Sequence, residues 1–443
     1  MFLTRALLLI LLLLFTTWGC AGRQPVVIAD LERYPQYVQA YLGAGSEARL
    51  AGSVEQQRFA SEYLDFYFAP WEDGGPHAEY NEEGELVSPF WGIEIALKNP
   101  GYGENRLPND PAWIEHLIAE MDVMHYPSRS AAAITVRETH VRVFPTHKPR
   151  FYDFSRAGEG YPFDYWQDSL LFANTPVRIE HMSRTGDWLF VQAPYVRGWV
   201  RAQDVALVDE HQRRILRQGP FMVMVRDQVP LYDEAGSYMI HGRVGGLYPV
   251  AGDGALLVAL RDVHGQAHLE KASVPAVDMA PFPLPLTAQN IARVADAMAA
   301  EKYGWGGMYG NRDCSAFLRD IFTSFGVWLP RNSYQQAHFV EENLIDLSAM
   351  KPAERERFIR ENAVPFMTLL WMRGHVMLYI GEHEGQPMAV HDAWGVRTRS
   401  WGREGRAIMG GVVITTLRPG RELSSVRSDA LLISRIQGMR VLP

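Results

Sequence analysis

The chain has 443 residues, 47% of them hydrophobic and 21% charged, with a net charge of −8. That composition suits a globular protein of two to four domains with real cores, so it needs no disulfide scaffold. The acidic balance and the lack of a basic stripe exclude a nucleic-acid binder.

The first element is an export signal. Arg5 supplies a basic flank to the apolar run Ala6–Phe15, about ten residues, too short to span a bilayer. The run ends in Thr17-Trp18-Gly19-Cys20, with Ala21 next. Small residue plus cysteine resembles the lipobox of bacterial lipoproteins, in which the signal is cut before a cysteine that is then acylated. Trp18 departs from the usual small residue, and an ordinary signal peptide is the alternative. Several acyl chains anchor a protein stably. Ala21, rather than an aspartate, points to the periplasmic side of the outer membrane; secretion to the periplasm is the other possibility.

Residues 21–125 read as mainly helical. Phe59, Tyr63, Phe66 and Tyr67 follow helical spacing. Asp110 and Pro111 form a start signal before the stripe Ile114, Leu117, Ile118 and Met121. From about residue 126 the texture changes to short alternating segments broken by turns. Two such sets, 126–208 and 209–280, predict a pair of small all-β barrels. Tyr195 and Trp199 of the first read as barrel core rather than site residues. Pro281, Pro283 and Pro285 then predict an extended linker. Thr287 caps a helix with Ile291, Val294, Ala295 and Met298 on one face, opening an α+β domain over 281–443.

That domain holds Cys314. Apolar residues at Phe317, Leu318, Ile321, Phe322 and Phe325 predict an amphipathic helix, with Asp313 as its N-cap. A sulfur in the first helical turn lies near unpaired N–H groups and the positive end of the macrodipole, both of which favour the thiolate. The plainer reading is a small buried hydrophobe. If Cys20 is acylated, Cys314 has no intramolecular partner, and an unpaired thiol in an oxidising compartment must be buried or used.

Downstream, GHVMLYIG reads as a strand with His375, Met377 and Tyr379 on one face and Val376, Leu378 and Ile380 on the other. PMAVHDAWG returns with His391, sixteen residues after His375. A hairpin would bring the two rings side by side, letting His391 fix the tautomer of His375 that accepts a proton from Cys314. His383, in the turn, is expected to be solvated, and His338 to be a packing or surface residue. Cys314, His375 and His391 would also suffice for a zinc site, but the spacings that usually accompany one are missing.

YGWGGMYGNRDCSAF, LPRNSYQQ, GHVMLYIG and HDAWG, in that order over about residues 286–443, strongly resemble the NlpC-type papain-like cysteine peptidases of bacterial cell walls. Upstream, VRVFPTHKPRFYD and the segment to YVRGWV look like the first of two bacterial SH3-like barrels found before such domains. The resemblance implies a multidomain chain: a helical N-terminal segment, two SH3-like barrels and a papain-like α+β catalytic domain. It implies Cys314 as nucleophile, His375 as base, His391 as third polar residue and Tyr303 as oxyanion donor. Asp313, Ser315, Asn332 and Ser333 would contact substrate. Asn332 stands where the family has aspartate, and Ala316 where glycine is common.

The implied reaction is hydrolysis of the γ-D-glutamyl–diamino acid bond of peptidoglycan stem peptides through a thioester, with no cofactor and no metal. The expected partner is murein, and the expected state a lipid-anchored monomer. Export favours a wall hydrolase. The alternatives are a recycling enzyme restricted to free stem peptides with N-terminal L-alanine, a non-catalytic wall-binding lipoprotein, and a papain-like amidase of the CHAP type.

Overall fold

The computed structural model describes residues 27–72, 81, 84–339 and 343–443. Cys20 and the rest of the expected export segment lie outside the described residues.

The N-terminal region folds around the helix Ser53–Phe68, which buries Phe59, Tyr63 and Tyr67 as their spacing requires. This helix packs on the C-terminal domain rather than standing apart. Gln56 Nε2 donates to the carbonyls of Leu284 and Phe325 at 2.6 and 3.2 Å, and Tyr63 bonds Thr323 Oγ1 at 3.3 Å. Gly326, at φ +75°, permits this approach: a Cβ there would sit 2.7 Å from Ala60 Cα. Further on, Asp110 accepts the Ala112 N–H at 2.9 Å and starts the helix Pro111–Glu120. Nearer the start, Asp30 Oδ2 accepts from the N–H and hydroxyl of Thr416, both at 2.8 Å.

The first barrel is one seven-stranded sheet. Its order is Gln167–Leu171, Thr139–Arg142, Arg197–Arg201, Trp188–Gln192, Pro176–Met182, Ala131–Thr135 and Val205–Leu207. Val141, Leu171, Val177, Val191 and Val200 fill its interior. Trp199 is fully buried among Phe144, Trp166 and Phe190. Tyr195 is only partly core: its ring lies 4.1 Å from the Arg319 guanidinium of the C-terminal domain.

Between the barrels runs a helix, Glu210–Arg217, inside the range 209–280 expected to be all-β. Asp209 and Gln212 close a capping box at its start. The second barrel is built from three small sheets, with Phe221–Met224 pairing both Leu247–Pro249 and Met279–Pro281. The last pairing corrects the expected linker. Pro281 is the final residue of that edge strand, where a missing N–H is tolerated. Beyond it Leu284 and Leu286 are buried, and Leu286 C=O accepts the Leu50 N–H at 2.9 Å, so the proline run is a fixed strap.

The C-terminal domain is a six-stranded antiparallel sheet. Its order is Leu344–Asp346, Gly438–Val441, Thr368–Met372, His375–His383, Gln386–Ser400 and Arg403–Thr416. Val376, Leu378 and Val390 pack with Phe317, Leu318 and Ile321 of the helix Cys314–Thr323. Met377, Tyr379 and Ala389, of opposite parity, pack with Ile359, Leu432 and Ile433. His383 is not solvated as expected. Its ring meets Tyr34 and Tyr41 edge-on at 6.1 and 5.1 Å, because the N-terminal region covers the end of this strand. His338 is a packing residue, stacked on Tyr334 at 4.0 Å.

Candidate active site

Cys314 opens a ten-residue helix in which every residue is buried, and is itself 7% exposed. The cap before it is heavily built. Asp313 Oδ1 accepts from the Ala316 N–H at 2.9 Å and the Ser315 hydroxyl at 3.1 Å, and Oδ2 accepts from the Gly306 N–H at 3.0 Å. Arg331 donates to both carboxylate oxygens, at 3.1 and 2.7 Å, and its Nε donates to Ser169 Oγ of the first barrel at 2.8 Å. Burial works against the Asp313 charge, but Arg331 and these N–H donors hold its carboxyl below the usual range. The Cys314 helix tip is thus fixed by groups from two domains.

The two histidines meet as the hairpin geometry requires. His375 Nε2 lies 2.8 Å from His391 Nδ1, and His391 Nε2 lies 3.1 Å from Thr415 Oγ1. The Thr415 hydroxyl donates to the Thr416 carbonyl at 2.8 Å, so toward His391 it accepts. That sets the whole chain of protons. His391 carries its proton on Nε2, its Nδ1 accepts from His375 Nε2–H, and His375 Nδ1 is left as a bare acceptor. Burial, with Arg435 adding to it and Asp313 opposing, pushes the His375 ring down to about 3. It is therefore neutral at pH 7 and able to take a proton. Burial, then the neighbouring His375, lowers His391 as well. Both ring nitrogens of His391 are committed to protein partners, which speaks against the zinc alternative.

His375 is the first residue of its strand, at the sheet end, and the Asp313 carboxylate acts on its ring from the helix cap. Tyr303 stands on the thiol side. Burial first, then the charges of Cys314, Asp313 and Asp392, hold its phenol well above the ordinary range, so it stays a hydrogen-bond donor.

The loop Trp305–Gly310 joins Tyr303 to the helix and docks on the first barrel. Gln167 Nε2 donates to Gly306 C=O at 2.8 Å. Gly306 has φ +61°, and a Cβ on it would fall 2.2 Å from the Gln167 carbonyl oxygen.

Of the expected substrate contacts, Ser315 and Ser333 are buried, and the Ser315 hydroxyl is held by Asp313 and Arg331. Asn332 caps the helix Ser333–His338, accepting the Gln335 N–H at 2.8 Å and donating to Gln335 Oε1 at 3.0 Å. A cavity of about 860 Å³ stops at Pro330 beside Arg331 and does not include Cys314. Phe90, Trp91, Phe190, Tyr195, Trp328 and Tyr334 wall it, and Asp168 lines it. Burial, with Asp313 adding and Arg331 opposing, raises the Asp168 carboxyl to about 6. Among the described residues Asp168 makes no side-chain hydrogen bond or ion pair. Thr415, Arg331, Asp168 and Asp392 were not picked out as site residues from the sequence. Arg331, Asp392 and Asp168 lie within the quoted segments, Arg331 in the loop expected to grip the peptide, whereas Thr415 lies outside them.

A thiol on a capped, buried helix tip beside an antiparallel sheet with paired histidines is the arrangement of a papain-like fold. Residues 300–402 match the NlpC/P60 family. Residues 7–126 match the N-terminal NLPC_P60 stabilising domain, 149–201 an SH3 domain of SH3b1 type and 209–255 one of SH3b2 type. The fold is similar to an NlpC/P60 endopeptidase from Photobacterium damselae subsp. piscicida, at 24% identity over 92% of this chain and 97% of that one, with a TM-score of 0.81. An NlpC/P60 family protein from Bacillus cereus aligns at 15% identity over 71% of this chain and all of that one, with a TM-score of 0.46. No curated protein sequence matches the chain.

Proposed function

We propose that the protein is a cell-wall cysteine endopeptidase that hydrolyses the γ-D-glutamyl–diamino acid bond of peptidoglycan stem peptides. His375 Nδ1 takes the Cys314 thiol proton as sulfur attacks the γ-carbonyl. The oxyanion lies against the Cys314 N–H and the Tyr303 hydroxyl. His375 then protonates the departing amine, and water, deprotonated by the same ring, hydrolyses the thioester. Positioned acid–base help of this kind is worth roughly a hundred- to ten-thousandfold. The observation that carries the reading is the proton chain from His375 through His391 to Thr415, which leaves one nitrogen bare in a protein whose thiol sits on a capped helix tip.

Mass spectrometry of products from defined stem peptides is the test. Release of a fragment beginning with the diamino acid supports the bond assignment. Cleavage at an L-alanine amide bond instead would replace it with the CHAP-type amidase. A Cys20 lipid anchor facing the periplasm would set the enzyme beside intact murein, which favours a wall hydrolase.

Asp168 favours a second reading. An unpaired carboxylate in an aromatic-walled cavity next to Arg331 suits a ligand's ammonium group, as on a free peptide with N-terminal L-alanine. Purified sacculi separate the two. Soluble fragments mark the hydrolase; their absence, with rapid cleavage of free tripeptide, marks the recycling enzyme.

A further inference from the structure

The second barrel reaches the segment that leads into the nucleophile. Arg312, two residues before Cys314, is fully buried and uses all its donors. Its Nε donates to Asp320 at 2.6 Å; Nη1 donates to Asp227 at 3.1 Å and Glu301 at 2.5 Å; Nη2 donates to Asp227 at 3.0 Å and the Val244 carbonyl at 3.2 Å. Asp227 and Val244 belong to the second barrel. So does Arg243, which donates through Nε to Asp227 at 3.1 and 3.0 Å. Through Nη2 it reaches Glu301 at 3.1 Å and the Gly310 carbonyl at 2.8 Å, and it also pairs with Glu138 of the first barrel. Both guanidinium groups lie over the Phe172 ring, at 5.3 and 5.5 Å.

These contacts hold residues 301, 310 and 312, the two ends of the loop that carries Tyr303 and delivers Cys314. Asp227 is the hub: it bonds both arginines and the Val244 N–H. Burial disfavours its charge, but Arg312 and Arg243 hold it far below the usual carboxylate range, so it is ionised. A bidentate carboxylate–guanidinium pair fixes direction as well as distance, and a shift of an ångström at reacting atoms is enough to lower a rate a hundredfold.

We propose that Asp227 is a positioning residue for the active site, acting through Arg312 on the placement of Tyr303 and Cys314. The proposal rests on the reading of Cys314 as the nucleophile. It makes the second barrel a part of the catalytic frame.

The test uses the full chain and compares D227N with V258A, a buried change in the second barrel's core away from the network. Both should lose thermal stability. Only D227N should lower kcat, by at least tenfold with KM within threefold, and slow alkylation of Cys314 by iodoacetamide at least threefold. Should D227N not fold, R312K, which keeps the charge but not the five-donor fork, must show the same selective loss. D227N or R312K with both rates within twofold of the parent overturns the proposal, as does V258A lowering them equally. The alkylation arm needs no substrate, so it decides the question even if the parent fails to cleave stem peptides.

Discussion

Replacing Thr415 by valine removes one hydroxyl that touches no substrate, yet it should slow the reaction. Thr415 and His391 are both fully buried. Without Oγ1, the His391 Nε2–H that now donates across 3.1 Å has no acceptor. A buried donor left unsatisfied costs about 1–3 kcal/mol. His391 escapes that cost by moving its proton to Nδ1, which then confronts His375 Nε2–H across 2.8 Å. His375 must in turn shift its proton to Nδ1, the nitrogen that has to receive the thiol proton. The same 1–3 kcal/mol is thereby taken from the productive tautomer. At 1.36 kcal/mol per factor of ten, kcat should fall roughly 5- to 150-fold, with KM unchanged. Thr415→Ser restores the acceptor and should keep kcat within about threefold. Steady-state hydrolysis of a defined stem peptide reads both variants. A valine variant with the parent's kcat would refute the proton chain, and with it the role given to His391.

Cys314→Ala should abolish hydrolysis while leaving the fold and murein binding intact, measured by peptide assay, circular dichroism and sacculus pull-down; persistent hydrolysis rules out the nucleophile. Arg331→Met strips the counter-charge from the buried Asp313 and should cost about 3–5 kcal/mol in urea unfolding, whereas a loss under 1 kcal/mol would mean the pair is not desolvated. Asp392 is fully buried with neither oxygen bonded, and burial, then Glu301 and Asp313, raise it well above its ordinary value. Between the unfolded value near 4 and that raised value the unfolded chain binds fewer protons, so stability falls as pH rises, by up to about 1.4 kcal/mol per pH unit. Asp392→Asn should remove that slope, so urea midpoints of variant and parent must diverge from pH 5 to pH 7; parallel curves refute it.

What the sequence makes legible here is local. Asp110, Thr287 and Asp313 announce their helices because an N-cap needs only a side-chain oxygen and the next turn's N–H groups. The period of two in GHVMLYIG assigns both faces of the strand correctly, and sixteen residues suffice to pair His375 with His391. Long-range partners are not legible in the same way. Thr415 joins His391 only through the pairing of Gln386–Ser400 with Arg403–Thr416, a register that sets His391 opposite Val413. Ser169, Gln167 and Asp227 lie in barrels whose own patterns give no hint that they face another domain. The proline run misleads for a related reason. Its composition excludes a central strand, but an edge strand followed by buried Leu284 and Leu286 obeys the same local rules.

Asp30 and Thr416 are held together across 386 positions of chain. The residue next to Thr416 anchors the proton chain, so the imidazole pair is backed only once nearly the last segment has met nearly the first. The helix tip that carries the thiol is held by residues no later than Arg331, whereas the last acceptor of the imidazole pair lies about a hundred residues beyond it. The backing of the imidazole pair is thus a non-local contact of the kind that slows folding.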